Sequence, residues 1–375
     1  MTGRAAQRKY IHPVTGEKSA PTPAAVPLAD RLLKALRHDP TDGQRRAADA
    51  IQRLLATDKP QATLVLKGYA GTGKTTLVGA LVKVLHKEKR PVVLLAPTGR
   101  AAKVLASYAR HQASTIHRRI YRVEGEEGST ALSLAPNRDD DALFIVDEAS
   151  MIGTRGKGEG PFGDRDLLRD LFTHVFAGTG CKLLLIGDPA QLPPVGSDHS
   201  PALETRDLVE QFGLTAGVVQ LTDVVRQAAG SGILTNATAL RQELRELQQD
   251  AKPAPRFDLS GFSDVVRIDG SALQDELETA YGQHGRDDVC LICRSNKRAY
   301  QYNQQVRARI LGFEEELSAG DRLMVVRNDY FWGAHNDHPE LIANGETLEV
   351  LRVKTREERF GSRFAWIDAA WWSGT

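Results

Sequence analysis

The sequence is poor in cysteine, and this scarcity excludes one class of fold. Its 375 residues include three cysteines, Cys181, Cys290 and Cys293, which are too few for a disulfide framework and are typical of a reducing compartment. Cys290 and Cys293 form a C-x-x-C pair in DVCLICRSN. A structural zinc site needs four ligands, and two further ligands are not evident nearby. We therefore predict that this pair lies in a buried strand.

Long apolar runs and an excess of one charge are also missing. No window approaches the ~18 apolar residues of a membrane-spanning helix, and the first residues lack the apolar segment of a secretory signal. The sequence therefore predicts a cytoplasmic protein with no membrane partner. Its net charge is +1, so any binding of nucleic acid has to depend on a local basic patch.

Hydrophobic residues make up 41% of the chain, and they follow an alternating order of strands and helices. Short, continuously apolar strands separated by helices are typical of parallel βαβ units that are covered on both faces. We predict a flexible tail and a lead-in helix over residues 1–38, followed by a doubly wound α/β domain over 39–215. Within this domain, residues 119–141 predict an inserted β-hairpin, with a disordered loop as the alternative.

The chain after residue 215 repeats this order more weakly. GVVQL and DVCLICRS are typical of strands, and helices are expected near 231–249, 271–284 and 296–311. From SAGDRLMVV onward, short strands and turns without a long helix indicate a small β-barrel-like insert. We therefore divide this part into a second α/β unit at 216–312 and a β insert at 313–375.

A glycine-rich loop follows the first predicted strand of the α/β domain. Gly68, Gly73, Lys74 and Thr75 match G-x-x-x-x-G-K-[ST] in full, with an apolar strand before them and an amphipathic helix after them. The glycines let backbone N–H groups converge on phosphate oxygens, and the positive end of the helix points at them. We predict that Lys74 reaches the β- and γ-phosphates of ATP and that the Thr75 hydroxyl binds Mg²⁺.

Candidate metal-binding and catalytic residues follow two later predicted strands, and another lies in the segment LTDVVRQ. Asp147 and Glu148 follow the run ALFIV and so enter the crevice where open α/β sheets bind ligands. We predict that Asp147 holds Mg²⁺ through water and that Glu148 takes a proton from the attacking water. Gln191 follows the strand LLLIGD and is placed to contact the γ-phosphate. Arg226 in LTDVVRQ is the candidate arginine finger, with a plain surface arginine as the alternative.

These blocks together resemble superfamily 1B helicases, specifically their RecD-like and Dda-like branch, over roughly residues 35–355. GYAGTGKTT is similar to motif I, APTGRAAKVL to motif Ia, STIHRRI to the next DNA-contact motif, FIVDEASMI to motif II, LIGDPAQLPPVG to motif III and LTDVVRQ to motif IV. DGQRRAADAI is similar to the Q motif. The resemblance implies that Gln44 contacts adenine and that Arg226 is the finger. Through motif I it extends nucleotide binding to Gly71, Thr72 and Thr76.

The resemblance also implies an architecture and an activity. The expected fold is a RecA-like P-loop domain at 39–215 with a strand-separating pin at 119–141, a partial second RecA-like domain at 216–312 and the start of an SH3-like insert at 313–375. The expected activity is ATP-driven translocation along single-stranded DNA, typically 5′ to 3′. DNA repair or recombination is the implied setting.

Basic and polar residues after the second predicted strand form a candidate DNA-binding set. They lie on the crevice side of the sheet, where they could grip phosphates, and for each one a solvated helix face is the alternative. They are Thr98, Arg100, Lys103, Arg110, His117, Arg118 and Arg119. Asn296, in CRSNKRAYQYNQQVR, joins them through the resemblance alone.

Two blocks of the family have no counterpart in this sequence. Nothing after residue 300 matches the HKSQG-like block or the SRAR-type block that carries a second arginine. We expect either a truncated or split product of a helicase gene, or a natural protein that keeps nucleotide and DNA binding. In both cases we expect it to bind Mg-ATP and to be poor at DNA-stimulated hydrolysis and unwinding. A P-loop ATPase that acts as a regulatory or nucleic-acid-binding component is the alternative, and a small-molecule kinase is disfavoured by the Gln191 block.

Overall fold

The structure is a computed structural model, and it describes residues 26–124, 131–154, 165–194, 196–223, 230–246, 255–326 and 344–371. The helices are α1 (Leu28–Ala35), α2 (Asp42–Ala56), α3 (Lys74–Lys87), α4 (Gly99–Ala109), α5 (Ile116–Ile120), α6 (Leu167–Ala177), α7 (Thr205–Glu210), α8 (Gly232–Glu246), α9 (Leu273–His284) and α10 (Asn296–Gln305). The strands are β1 (Ala62–Gly68), β2 (Val92–Ala96), β3 (Ala113–Thr115), β4 (Tyr121–Glu124), β5 (Ala131–Leu134), β6 (Leu143–Val146), β7 (Lys182–Gly187), β8 (Thr215–Leu221), β9 (Arg322–Met324), β10 (Thr347–Arg359) and β11 (Ser362–Trp371).

A six-stranded sheet in the order β3-β2-β6-β7-β1-β8 organises the first part of the chain. All neighbouring strands in it are parallel. Strands β6 and β7 are buried at every position, because helices cover both faces and water reaches neither. The predicted α/β fold with a parallel sheet is therefore confirmed.

Two hydrophobic clusters cover the two faces of this sheet. Leu32 of α1, Ile51 of α2 and Leu81 of α3 belong to the first, and Phe144 of β6 and Leu171 of α6 belong to the second. All five are fully buried, and each contributes about 1.5–3 kcal/mol relative to an exposed side chain. The lead-in helix α1 is thus part of the core of the α/β domain, although we grouped it with the tail.

Strand β8 corrects the predicted boundary at residue 215. It pairs in parallel with β1 from Ala62 opposite Thr215 to Gly68 opposite Leu221. The strand GVVQL is therefore confirmed as a strand, but it belongs to the first sheet and not to a second domain. Leu221 is buried in the first core cluster, so the first α/β unit extends at least to this residue.

The predicted insert at 119–141 contains a β-hairpin that is shorter than the predicted range. Strands β4 and β5 pair antiparallel, with Tyr121 opposite Leu134 and Glu124 opposite Ala131. Residues 119 and 120 still belong to α5. Residues 125–130 lie outside the described part of the chain.

The strand predicted at 288–295 is wrong. These residues are not in a strand, Cys290 is exposed, and the side chain of Ile292 is 95% exposed. A short apolar run becomes a buried strand only if a neighbouring strand accepts its backbone hydrogen bonds. Among the described residues, the three sheets contain no strand beside this run.

The helices of the second part largely match the prediction. They are α8, α9 and α10, and α10 continues into a π-helical turn at Val306–Ile310. Arg307 in this turn donates hydrogen bonds of 2.6 and 2.7 Å to the Asp321 carboxylate, which joins the turn to the residue before β9. Apart from β8, which belongs to the first sheet, the division of this part into a second α/β unit up to 312 and a β insert at 313–375 stays a prediction.

A separate antiparallel sheet in the order β11-β10-β9 forms the last described part. The β10–β11 hairpin turns at Phe360 and Gly361, whose φ values of 55° and 72° are left-handed, as a two-residue hairpin turn requires. This sheet fits the predicted β insert. Across the described residues, no helix has the length and apolar character that crossing a membrane demands.

Candidate nucleotide site and nucleic-acid surface

The loop between β1 and α3 has the backbone that phosphate binding requires. Gly71 and Gly73 have φ values of 80° and 85°, a left-handed conformation that glycine adopts without strain. Gly73 precedes α3, and no side chain caps the helix there, so its first N–H groups point into the loop. The Thr72 hydroxyl donates to the Tyr69 carbonyl at 2.8 Å and holds the loop closed.

Gly68 occupies a position where a side chain would not fit. A Cβ on Gly68 would lie 2.7 Å from Thr72 Oγ1 and 3.2 Å from Lys74 Cγ. The requirement for glycine comes from this close packing, since Gly68 is not among the residues with positive φ. Two different physical reasons therefore require glycine in this motif: left-handed backbone at Gly73 and close packing at Gly68.

Lys74 turns its ammonium group back into this loop. Its Nζ donates to the carbonyl oxygens of Gly68 at 2.5 Å and of Tyr69 at 3.1 Å. Burial lowers the pKa of Lys74, while the nearby charges of Asp188, Asp147 and Glu148 raise it. One lysine and three carboxylates thus share one edge of the sheet, as expected for the ends of parallel strands.

The Asp147 carboxylate is held at both oxygens. Its Oδ1 accepts a hydrogen bond of 2.9 Å from the Glu148 N–H, and its Oδ2 accepts one from the Tyr108 hydroxyl. Burial, followed by the charge of Asp147, raises the pKa of Tyr108, so the hydroxyl stays protonated and donates. Sequence reasoning missed Tyr108, which lies near the end of α4 and carries no motif signal.

Glu148 has a strained backbone. Its φ of 54° and ψ of 34° are left-handed, which costs a non-glycine residue about 1–3 kcal/mol. It immediately precedes a 3₁₀ turn at Ala149–Met151, and its side chain is half-buried. The turn places Glu148 at the sheet edge beside Asp147, where the prediction needs it.

Gln191 is connected to the segment that follows Glu148. The Ser150 hydroxyl donates a hydrogen bond to Gln191 Oε1, and the Ser150 carbonyl accepts one of 2.8 Å from the Ser200 hydroxyl. The carboxylate of Asp188, a residue that is 8% exposed, accepts a hydrogen bond of 2.8 Å from the Ala190 N–H. This bond fixes the turn before Gln191. Ser150 and Asp188 are further residues of this site that were not predicted.

Gln44 lies at the start of α2 and is completely buried. Its Oε1 accepts a hydrogen bond of 3.1 Å from the Thr41 N–H, and the Thr41 hydroxyl accepts one of 3.2 Å from the Gln44 N–H. This reciprocal pair is a capping box. Its Nε2 is buried and has no hydrogen-bond partner among the described residues. A buried donor without a partner is costly, and an adenine nitrogen would supply the acceptor.

The residues around the loop fit ATP and a magnesium ion. The orphaned donor of Gln44, the left-handed glycines and the ammonium of Lys74 are the groups that a nucleoside triphosphate needs. Magnesium is usually held by one or two protein oxygens together with phosphates and water. Thr75, in the first turn of α3, and Asp147 provide such oxygens, and Thr75 and Thr76 are both exposed.

The predicted DNA-binding residues are only partly brought together. The Thr98 hydroxyl caps α4 by accepting a hydrogen bond of 3.2 Å from the Ala101 N–H. Arg100 and Lys103 are exposed on that helix. His117 and Arg118 lie in the short helix α5, which follows β3. Burial lowers the pKa of His117 to about 4, so this imidazole is a neutral hydrogen-bonding group and not a cation near neutral pH.

Three other candidates have different positions. Arg119 forms an ion pair with Asp139, which gives it a structural partner. Asn296 is exposed at the start of α10, in a helix distant in sequence from α4 and α5. Arg226 lies outside the described residues, so its role as the finger stays a prediction. The neighbouring Asp223 is described, and its Oδ2 accepts 3.1 Å from the Gly43 N–H at the start of α2.

Comparison with known proteins gives a family match that covers the proposed nucleotide site. The AAA domain family matches residues 40–252. The chain is 35% identical to the ATP-dependent RecD2 DNA helicase of Deinococcus radiodurans over 177 residues, which are 47% of this chain and 21% of that protein. It is 28% identical to the RecBCD enzyme subunit RecD of Mycobacterium tuberculosis, over 87% of this chain and 59% of that subunit. It is 31% identical to the ATP-dependent DNA helicase dda of Enterobacteria phage T4, over 44% of this chain and 35% of that helicase. The chain thus spans less than two thirds of each of these relatives.

Proposed function

We propose that this chain, which belongs to the AAA domain family, is a member of the RecD-like and Dda-like branch of superfamily 1B helicases and couples ATP hydrolysis to 5′-to-3′ movement along single-stranded DNA. The family membership supports a DNA helicase or ATPase function. The finer statement, directed movement on a single strand, is our proposal. The observation that carries its ATP-hydrolysis step is the meeting of Lys74 with Asp147, Glu148 and Asp188 at one edge of a parallel sheet.

The P-loop would hold the triphosphate. Backbone N–H groups of the loop between Gly68 and Lys74 would donate to the phosphates, and the Lys74 ammonium, which donates to the Gly68 and Tyr69 carbonyls, would contact β- and γ-phosphate oxygens instead. Gln44 would receive the adenine, since its buried Nε2 finds no acceptor in the part of the chain that the structure describes. Gly71, Thr72 and Thr76 complete the loop without a side-chain charge.

Thr75 and Asp147 are the residues that would hold Mg²⁺, and the ion would neutralise charge on the β- and γ-phosphate oxygens when bound. The half-buried Glu148 carboxylate accepts a proton from the water that attacks the γ-phosphate. Gln191 lies one hydrogen bond from Ser150, so a change at the γ-phosphate can pass to the segment that carries Glu148. Arg226 is proposed as the finger.

The single strand would cross the surface formed by the start of α4 and by α5. Thr98 is the helix cap and Arg100 and Lys103 are exposed beside it, an arrangement that suits contacts to successive phosphates. His117 is neutral near pH 7 and donates or accepts a hydrogen bond. Arg118 is exposed next to it, and Asn296 is the proposed contact from the second part of the chain.

The test is ATP hydrolysis with and without an oligothymidine, together with the Glu148→Gln variant. We expect single-stranded DNA to raise the rate of the natural chain. Glu148→Gln should bind a fluorescent ATP analogue normally and lose hydrolysis by roughly 10²–10⁴-fold, the range for loss of a general base. Lys74→Ala should lose nucleotide binding itself, which separates the two roles.

The outcomes distinguish the proposal from its alternative. If the rate does not respond to single-stranded DNA while ATP still binds, the chain is a nucleotide-dependent regulatory or nucleic-acid-binding component without motor activity. Normal hydrolysis by Glu148→Gln would refute its assignment as the base. Release of streptavidin from the 3′ end but not the 5′ end of a biotinylated strand would support 5′-to-3′ movement, and the opposite preference would reverse it.

A further inference from the structure

A groove between α3, the end of α4 and the end of α1 has a lining of one charge sign. Its volume is about 710 Å³, and no aspartate or glutamate lines it. The basic residues that line it are Arg37, Lys83, His86, Lys87, Arg110 and His111. We call this surface the basic groove. Since the whole chain carries a net charge of only +1, the groove is a local concentration of positive charge.

No ion pair among the described residues neutralises the positive charge of the basic groove. Within the described ranges, Arg37, Lys83, Lys87 and Arg110 form no ion pair. Glu88 follows the end of α3, but it is already paired with Arg31 of α1 at 2.7 Å. The part of the chain that the structure describes therefore leaves the groove without a complementary charge, as a site for an external anion would.

The length of the groove suits a polymer better than a small anion. Along α3 it extends from Thr75 to Lys87, which is about 18 Å at 1.5 Å per residue. One strand of B-DNA carries a phosphate every 3.4 Å along its axis, so this length matches roughly five phosphates. Four permanent cations line the groove, of which Lys83 and Lys87 lie one turn apart on α3, and four such cations exceed what one free phosphate needs for neutralisation.

The chemistry of the lining favours a double strand over a single strand. Surfaces that bind single strands stack bases on aromatic rings. The only Phe, Tyr or Trp among the lining residues is Tyr108, whose hydroxyl is bonded to Asp147. Phosphates of a duplex are instead contacted by basic and hydroxyl side chains, and Thr76 and Ser107 add hydroxyl groups to the lining.

We propose that the basic groove binds the phosphate backbone of duplex DNA, as a second nucleic-acid contact beside the single-strand surface. The proposal rests on the proposed function in one respect, which is that DNA is the substrate of this chain. The groove contains Ser107–Arg110 at the end of α4, whereas the single-strand surface contains Thr98 at its start. A chain that moves along one strand towards a junction could thus hold the duplex and the strand at opposite ends of one helix.

The experiment compares Lys83→Gln/Lys87→Gln with a control of equal charge, Arg53→Gln/Lys59→Gln. Both control residues are exposed and neither lines the groove. Binding of a fluorescent blunt duplex of about 20 base pairs is measured by anisotropy over a series of salt concentrations. Removal of one cation that contacts a phosphate should reduce the slope of log K against log[salt] by about 0.9. We therefore expect the slope of the groove variant to be smaller by about 1.8, and its affinity at low salt to be weaker by roughly tenfold or more.

Parallel measurements separate the outcomes. Binding of a single strand of equal length, and the hydrolysis that it stimulates, should stay within about twofold for both variants. Equal weakening in the groove and control variants overturns the proposal, and so does a larger weakening on the single strand than on the duplex. Polyglutamate binding that only the groove variant weakens, with unchanged duplex binding, would assign the groove to an acidic protein instead. A groove-dependent duplex affinity without any single-strand stimulation would support the groove and refute the proposed function.

Discussion

Tyr108→Phe tests how the metal-binding carboxylate is positioned. The substitution removes the hydroxyl that donates to Asp147 Oδ2 and keeps the ring that packs at the end of α4. The other oxygen, Oδ1, keeps its 2.9 Å bond from the Glu148 N–H. Asp147 therefore keeps one of its two hydrogen bonds, but its carboxylate becomes free to rotate about that remaining bond. Binding of Mg²⁺ to the protein–nucleotide complex should weaken as a result.

The size of the effect follows from the type of bond that is removed. A hydrogen bond to a charged acceptor contributes about 1.5–3 kcal/mol, which is roughly a 10- to 150-fold change in an equilibrium constant. Loss of a group that orients a metal ligand typically costs ~10–100-fold in metal affinity. Tyr108 and Asp147 are both half-buried, so water can partly replace the hydroxyl. We expect the lower end of these ranges, about a tenfold rise in the Mg²⁺ concentration for half-maximal binding.

The assay is a Mg²⁺ titration of the binding of a fluorescent nucleotide, with affinity in EDTA as the reference. Tyr121→Phe is the matched control, because the Tyr121 hydroxyl also donates to a carboxylate, Asp170 Oδ2, at 2.7 Å, away from the loop. The control should keep the natural Mg²⁺ dependence. An unchanged Mg²⁺ midpoint for Tyr108→Phe would refute the reasoning. So would an equal loss of affinity in EDTA, since that would reveal general damage to the site.

Three other changes give separate checks. Gly68→Ala places a Cβ 2.7 Å from the nearest side-chain atom of its own loop, whereas at Gly217 the nearest atom is 3.8 Å away; thermal unfolding and nucleotide titration should show losses for Gly68→Ala, about 1–3 kcal/mol in stability, and none for Gly217→Ala. Gln44→Ala should reduce the preference for ATP over GTP in competition binding, while Thr41→Ala, which breaks the same capping box, should cost about 1 kcal/mol of stability and leave that preference unchanged. The pKa of His117 is lowered to about 4 from 6.5, so the unfolded chain binds more protons in this interval and stability falls as pH decreases through it; urea unfolding of His117→Gln should depend less steeply on pH there, and an equally steep dependence would contradict the assignment.

The parallel sheet could be predicted because its strands are apolar at consecutive positions. Strand β7 is buried from Lys182 to Gly187, and helices separate it from the strands before and after it. The P-loop could be predicted for a similar reason, since its glycines, Lys74 and Thr75 are close neighbours in the chain. In both cases the signal and the structure that it specifies are local, so no knowledge of distant contacts is needed.

Contacts between distant segments could not be predicted in this way. Tyr108 and Asp147 are 39 positions apart, and Ser150 and Gln191 are 41 apart. The periodicity of α4 indicates which face is buried, but it does not indicate which carboxylate a hydroxyl on that helix reaches. Motifs supplied Asp147 and Gln191 because they are parts of local patterns. Their partner Tyr108 lies outside the quoted motifs, and Ser150, although it lies within FIVDEASMI, carries no signal that pairs it with Gln191; both contacts are found only when the chain is folded.

The failed strand at 288–295 has the opposite cause. VCLIC is as apolar as a genuine strand, but a strand is a property of a pair of segments, because each backbone group needs a partner. β8 illustrates the difference: it has two half-buried residues and three exposed ones out of seven, yet it pairs with β1 along its whole length. Composition alone therefore ranks the two segments in the wrong order.

Helix α4 gives the two halves of the proposed mechanism a common rigid element. It has 11 residues, which is about 16 Å. Its cap Thr98 lies at the proposed single-strand surface, and Tyr108 near its other end holds the carboxylate proposed to bind the metal. If a strand bound at Thr98 shifts this helix, the shift also moves the Tyr108 hydroxyl that donates to Asp147, and so changes the affinity for metal and nucleotide. Linkage then requires that metal and nucleotide change the affinity for DNA by the same factor by which DNA changes theirs. Tyr108→Phe should therefore reduce the effect of Mg-nucleotide on single-strand affinity, although Tyr108 is not part of the proposed single-strand surface. An unchanged effect, beside a shifted Mg²⁺ midpoint, would show that α4 does not connect the two sites.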